Sequence, residues 1–202
     1  ARVKRAIVGK DAHLSTFTVT GAERSLALRL GTPVDGNDPA KEFWGTKAGN
    51  REVFAAAGIR HAPGTPEVRS TDTLVREIDK LLASQPKSKT LVVMLNDGVS
   101  GEGNARLDVT KLVGKKGPAR RAAIRRALST RLKYEAKTDN WASYSRESGK
   151  KGAIVEQWAE NVTTSPSVQG HIGPDGKVVI RSTHEQILDG QVYKGARYPA
   201  KS

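Results

Sequence analysis

Residues 91–109 read LVVMLNDGVSGEGNARLDV, two apolar runs separated by a loop of Gly, Ser, Asn, Asp and Glu. Gly98, Gly101 and Gly103 fall within six positions. A two-residue turn would join two strands with less loss of chain entropy. This density of glycine therefore points to backbone that takes left-handed angles or lets another group come close to its amides. Successive amides on such a turn form a concave donor surface for phosphate oxygens. Ser100 can add a hydroxyl donor, whereas phosphate repels Glu102, which is expected to point away. No GK[ST] follows and the spacing is not GxGxxG, so this is neither a Walker loop nor a dinucleotide fingerprint.

A phosphate ligand suits the charge balance. With 34 Lys plus Arg against 21 Asp plus Glu the chain carries +13, which attracts polyanions without choosing among nucleic acid, nucleotide and anionic membrane. Much of the excess lies between Lys115 and Lys133, a segment that contains eight bases and no acid. Aromatic residues are 5% of the chain, few for a surface that stacks single-stranded bases. There is no cysteine, which excludes disulfides and thiolate chemistry. No apolar stretch approaches the length of a membrane span, and the reading is of a soluble cytoplasmic protein.

The elements that must position the loop follow from pattern. TGAERSLALRLG carries a capping box, Thr20 with Glu23, and ends on Gly31. TPVDGNDPA reads as a short strand and turn. GTKAGNREVFAAAG predicts a helix over Thr46–Ala57, with Val53, Phe54 and Ala57 able to face a core. Leu74, Ile78, Leu81 and Leu82 share one face of the next helix. Pro118 suits the first turn of a basic helix whose apolar stripe is Ile124, Leu128 and Leu132, its arginines covering a solvated side. After a polar stretch around SRESGKKG come AIVEQW, SVQGHI and KVVIRST as strands, with Pro174, Asp175 and Gly176 as a turn. Mixed strands and helices followed by antiparallel strands imply an α+β fold in two lobes.

Read in order, LALRLGTPVDGNDPA, FWGTKAGNREVFAAAGIRHAPGT, LVVMLNDGVSGEGNARLD, IVEQWAENVTTSPSVQGHIGPDGKV and STHEQILDGQVYKGARYPA resemble the ATP-grasp ligase superfamily, most closely its peptide-ligase branch of the pheganomycin-ligase type. The resemblance implies ATP held in a cleft between two α+β lobes. It also implies a division into residues 1–45 as the end of a preceding region, 46–90 as first-lobe helices and linker, and 91–202 as the nucleotide-binding lobe with the start of a C-terminal lobe. GVSGEGN is then the phosphate loop, so Gly98, Ser100, Gly101, Gly103 and Asn104 face ATP. Lys47 matches a first-lobe lysine that reaches the phosphates, at a helix N-terminus that already favours an anion. Arg51 either assists it or pairs with a nearby acid.

By the same resemblance VEQWAE holds adenine. Backbone groups around Gln157, Trp158 and Ala159 bond the base edge, and Glu156 or Glu160 addresses the exocyclic amine or the ribose. Met94 stands where related ligases generally have a lysine. A thioether offers no charge, so either a neighbouring base such as Arg106 compensates or nucleotide binding is weakened. Of the four histidines only His184 lies in a family-like motif, as a substrate-side candidate near the acceptor cleft. The resemblance places the Mg²⁺ ligands beyond residue 202, and no catalytic or metal residue is assigned within the chain. The implied function is an ATP-dependent carboxylate–amine ligase, forming peptide bonds through an acyl phosphate, with ATP and a carboxylate and amine as partners. The alternative is a non-catalytic basic module of the same fold that binds nucleic acid or another polyanion through Lys115–Lys133.

Overall fold

The computed structural model describes residues 2–98, 103–173 and 175–201, and the chain divides into two units, Ala1–Ile59 and Arg60–Ser202. The first unit contains α1 (Arg2–Ile7), β1 (Leu14–Ser15), α2 (Gly21–Leu30), β2 (Val34–Asp35), a 3-10 helix (Pro39–Gly45) and α3 (Lys47–Ala56), with β1 and β2 paired in parallel. The capping box forms as expected: the Ala22 N–H donates to the Thr20 hydroxyl at 3.2 Å and the Thr20 N–H donates to Glu23 at 2.8 Å. The Thr20 hydroxyl, which donates to Glu23 Oε2, and then the Thr20 N–H hold the Glu23 carboxyl below its ordinary range. Val53, Phe54 and Ala57, expected to face a core, lie on the surface, as do Leu26 and Leu28. Two-residue strands offer no sheet face for them to cover, and among the described residues these helices bury only Ala27, Ala48 and Gly49.

In the second unit the order is α4 (Thr71–Ser84), β3 (Thr90–Leu95), β4 (Asn104–Asp108), α5 (Thr110–Val113), α6 (Gly117–Thr130), β5 (Lys133–Tyr134), α7 (Trp141–Lys151), β6 (Ala153–Gln157), β7 (Pro166–Ile172), β8 (Val178–Asp189) and β9 (Val192–Arg197). One antiparallel sheet runs β5-β4-β3-β6 and another β7-β8-β9, giving an α+β architecture. Side chains alternate across a strand, so β3 sends Leu91, Val93 and Leu95 into a core completed by Leu74, Ile78 and Leu82 of α4 and by Ile124 and Leu128 of α6. The opposite face carries Val92, Met94, Asn104, Arg106, Ile154 and Glu156, brought side by side by the pairings of Met94 with Asn104 and Ile154, and of Val92 with Arg106 and Glu156.

Three elements differ from expectation. The polar stretch around SRESGKKG lies in α7, which buries only Tyr144 and Ser148, one turn apart, among its described residues. The strand expected at KVVIRST continues to Asp189, and β9 follows it. The basic helix is not simply a solvated face: Arg120 is buried, its Nε on Asp79 Oδ1 and its Nη2 2.9 Å from the Asp79 carbonyl oxygen. Arg121 also reaches Asp79, at 3.5 Å, and Arg125 reaches Asp72 at 2.5 Å.

Tyr144, 2% exposed, packs in the core beneath the β3–β4 connection. Its single hydroxyl proton is shared between the carbonyl oxygens of Val93, at 2.9 Å, and Gly103, at 2.8 Å. Burial pushes this phenol far above its ordinary 10.0, with Tyr134 and Asp139 adding to the shift. A raised value means that the folded chain holds the proton more tightly than the unfolded one. That contribution is complete below about pH 10 and is lost as pH rises beyond it. Denaturant unfolding should show Tyr144→Phe to be less stable by about 1–3 kcal/mol at neutral pH, since two buried carbonyls lose a donor. The wild type should lose stability more steeply than the variant above pH 10. Equal alkaline slopes would contradict this role.

Candidate nucleotide site

The loop of the first motif springs from a tightly registered root. The Leu95 N–H donates to the Gly103 carbonyl at 2.9 Å, and Met94 pairs with Asn104. Gly103 has φ 78° and stands against the Leu95 side chain, where a Cβ would come within 2.9 Å, so conformation and space both demand glycine. Gly98 and Gly103 border a cavity of about 480 Å³ that is also lined by Asp97, Asp139, Glu147 and Lys151. Three carboxylates against one ammonium make it a poor phosphate site. Ser100, Gly101 and Glu102 lie outside the described residues.

Met94 is half-buried on the face away from the core, beside Asn104 and Ile154. Arg106 occupies the same face two residues beyond Asn104. Its guanidinium carbon lies 5.6 Å from the Trp158 ring centroid, and its Nε lies 3.2 Å from Glu135 Oε1. Glu135 in turn accepts from Gln191 Nε2 at 3.1 Å, and Gln191 Oε1 accepts from Asn104 Nδ2 at 2.9 Å. This chain ties the root of the loop to the turn between β8 and β9, and so joins the two sheets of the second unit. Neither Glu135 nor Gln191 carries a sequence signal, because the link joins residues 56 apart through a side-chain amide.

At the end of β6, the Gln157 N–H donates to Pro63 at 2.8 Å and the Trp158 N–H to Thr90 at 3.1 Å. These two amides are committed to the fold. Among the described residues no backbone bond engages the Ala159 N–H, which leaves that donor available to a ligand. Glu156 is half-buried on the polar sheet face, and Glu160 is exposed, 3.5 Å from Lys89. Beside Trp158 and Ala159 opens a cavity of about 440 Å³, walled by Thr163, Glu185, Leu188 and Gln191. An aromatic ring, hydroxyls, an amide and a carboxylate around a space of this size suit a small ligand that is part apolar and part hydrogen-bonding.

Lys47 belongs to the first unit. It opens α3, half-buried, immediately after Thr46, whose hydroxyl accepts from the Gly49 N–H at 3.1 Å. Gly49 packs so closely that a Cβ would lie 2.0 Å from the Phe43 carbonyl oxygen, which fixes the start of this helix. His184 lies within β8, 4% exposed, its ring 5.2 Å from Tyr198 and its Nδ1 buried without a hydrogen-bond partner among the described residues. Among the described residues no group of three or more His, Asp or Glu is arranged to hold a metal ion. No helix among them is long and apolar enough to cross a membrane.

Residues 39–137 match the family model of the IQCH-like ATP-grasp. Over 203 aligned residues the chain is 32% identical to an L-propargylglycine–L-glutamate ligase of Streptantibioticus cattleyicolor, covering 98% of this chain but 40% of that enzyme. The chain thus spans about two fifths of that curated relative. Among solved structures, D-alanyl-alanine synthetase A of Vibrio cholerae superposes with a TM-score of 0.54 at 14% identity, over 92% of this chain and 51% of that one. N5-carboxyaminoimidazole synthetase of Staphylococcus aureus, complexed with ADP, gives 0.54 at 12% identity, over 92% and 40%. At such identities the structures speak for the fold, which is that of the ATP-grasp proteins.

If Gln191 is the link between the sheets, its loss should make Glu135 matter less. Gln191→Leu should cost about 1–3 kcal/mol in denaturant unfolding, and Glu135→Gln should cost less in that background than in the wild type. Additive costs would show that the two residues act separately.

Proposed function

From the match of residues 39–137 to an ATP-grasp family model and the 32% identity to a ligase, we propose that the chain belongs to the ATP-grasp superfamily and supplies the nucleotide-facing part of an ATP-dependent carboxylate–amine ligase. The observation that carries this reading is the polar sheet face, where the root of the glycine-rich loop, Arg106 and Glu156 lie beside the Trp158 cavity. Adenine meets the backbone around Ala159. The phosphates run towards the loop on the Asn104 side of its root, away from the acidic cavity that Gly98 and Gly103 border, and Lys47 is the candidate for a further positive charge. In the reaction a substrate carboxylate oxygen bonds to the γ-phosphorus and ADP leaves. The amine then attacks the acyl carbon, loses a proton, and phosphate departs.

The chain's own groups bind, neutralise and orient. Arg106 is the cation that the polar face offers where Met94 offers none. Magnesium, which ATP-grasp enzymes generally use with ATP, finds no group of three or more His, Asp or Glu to hold it among the described residues. The alternative basic module loses support from the pairing of Arg120, Arg121 and Arg125 with α4, where Asp79 and Asp72 offset two of the eight charges on which it depended.

Millimolar ATP should raise the melting temperature of the protein, and supplying acids with hydroxylamine should yield hydroxamate for the true substrate. Lys47→Met should weaken ATP binding, and Met94→Lys should strengthen it about tenfold by adding a charge-assisted contact on the polar face. Titration calorimetry reads both. Affinity unchanged by Met94→Lys would move the phosphates away from this face.

A further inference from the structure

Strand β3 ends at Leu95, so Asn96 is the first residue of the connection beyond its ladder. It is nevertheless 3% exposed and held twice. Its N–H donates to the Gly152 carbonyl at 2.9 Å, and its side-chain Nδ2 donates to Glu67 Oε2 at 2.9 Å. Holding a loop root in one geometry takes more than a single directional contact, and the side-chain bond supplies the second.

Glu67 is itself built into place. Val68 exchanges both backbone bonds with Ala153, at 2.8 Å each, which lays this segment along β6. The other carboxylate oxygen, Oε1, lies 2.6 Å from Arg69 Nη2, and Arg69 Nη1 donates to the Lys150 carbonyl at 2.6 Å. Gly152 has φ 77°, and a Cβ there would come within 2.3 Å of Glu67 Oε1, so glycine alone leaves room for the carboxylate. One acid thus joins the segment before α4, the end of α7 and the root of the glycine-rich loop.

The β4 end of the root is fixed by Gly103, whose carbonyl accepts from the Leu95 N–H and from the Tyr144 hydroxyl. At the β3 end, Asn96 carries the chain on to Asp97 and Gly98. A misplacement of about 1 Å in groups that hold a ligand costs much more than one contact, even when its source is remote. We propose that Glu67 is a positioning residue for the phosphates of the bound nucleotide: acting through Asn96, it sets the path on which the chain leaves β3 for the glycine-rich loop. Glu67 itself touches no ligand. The proposal rests on the nucleotide reading above and deepens it, by naming a residue outside the site on which phosphate binding depends.

Titration calorimetry with ATP and with AMP, on the wild type, Glu67→Ala, Glu67→Asp and Glu67→Gln, tests it. AMP keeps the base and sugar and lacks the phosphates that the loop would hold. The wild type should prefer ATP, and in Glu67→Ala that preference should fall about tenfold, the worth of one charge-assisted hydrogen bond, with AMP affinity unchanged. Glu67→Asp keeps the charge but is shorter by a methylene and draws back from Asn96. It should show the same fall, and it decides the matter if the alanine variant does not fold. Glu67→Gln keeps the reach and an acceptor and should restore most of the preference. In an Asn96→Ala background, Glu67→Ala should lower the preference no further. An undiminished preference in folded Glu67→Ala or Glu67→Asp overturns the proposal, and so does equal weakening of both nucleotides, the mark of a role in the fold alone. A glutamine variant no better than alanine also overturns it, by assigning the effect to the Arg69 pair. A wild type that binds no ATP removes the nucleotide reading and this inference together, whereas ATP preference kept by every variant removes this inference alone.

Discussion

Strands β3 and β4 must do two things at once, burying one face in the core while the other carries Asn104 and Arg106 beside Val92 and Met94. The alternation of side chains across an extended backbone reconciles them. Leu91, Val93 and Leu95 fill the core, and Met94, Asn104 and Arg106 face away from it. A slip of one residue would exchange these sets, so the register of Met94 opposite Asn104 governs everything built upon it. Tyr144 holds that register from below, by giving its proton to the carbonyls of Val93 and Gly103. A phenol is well suited to this because its long ring reaches from α7 through an apolar core and still ends in a donor.

From that root the site extends by polar links in place of packing. Asn104 holds Gln191, Gln191 holds Glu135, and Glu135 pairs with Arg106, which lies against Trp158. The loop root, the turn between β8 and β9 and the end of β6 are thereby held in one arrangement. Positive charge is otherwise used structurally as much as functionally. The buried Arg120–Asp79 pair sits between α4 and α6 and has backbone help from the Asp79 carbonyl, the satisfied geometry in which a buried charge is tolerated.

Much of this was legible in the sequence where short-range chemistry dictates it. The capping box at Thr20, the helix starting near Thr46, the apolar stripe of α4, the hairpin pairing of Ile172 with Val178, and the strands around the glycine-rich loop all follow from local pattern. The structure departs from the sequence reading where tertiary context decides. Val53 and Phe54 have helical spacing and stay exposed, because periodicity shows that a face is apolar and not what covers it. Helix α7 escapes notice because its surface is Ser, Lys, Arg and Glu, and its anchor is essentially one tyrosine. In the candidate site, the motif marks the loop and the VEQWAE stretch, whereas Gln191 and Glu135 enter only through contacts distant in sequence. That Gln157 and Trp158 commit their amides internally is likewise invisible until Pro63 and Thr90 are placed beside them.

Hydrogen exchange of the backbone amides, compared with and without ATP, tests most directly whether the polar face of β3, β4 and β6 receives the nucleotide. The account predicts slowed exchange at residues 94–106, at 157–160 and around the turn between β8 and β9, with α4 and α6 unchanged. Protection confined to the basic surface of α6, with those segments unaffected, would contradict it.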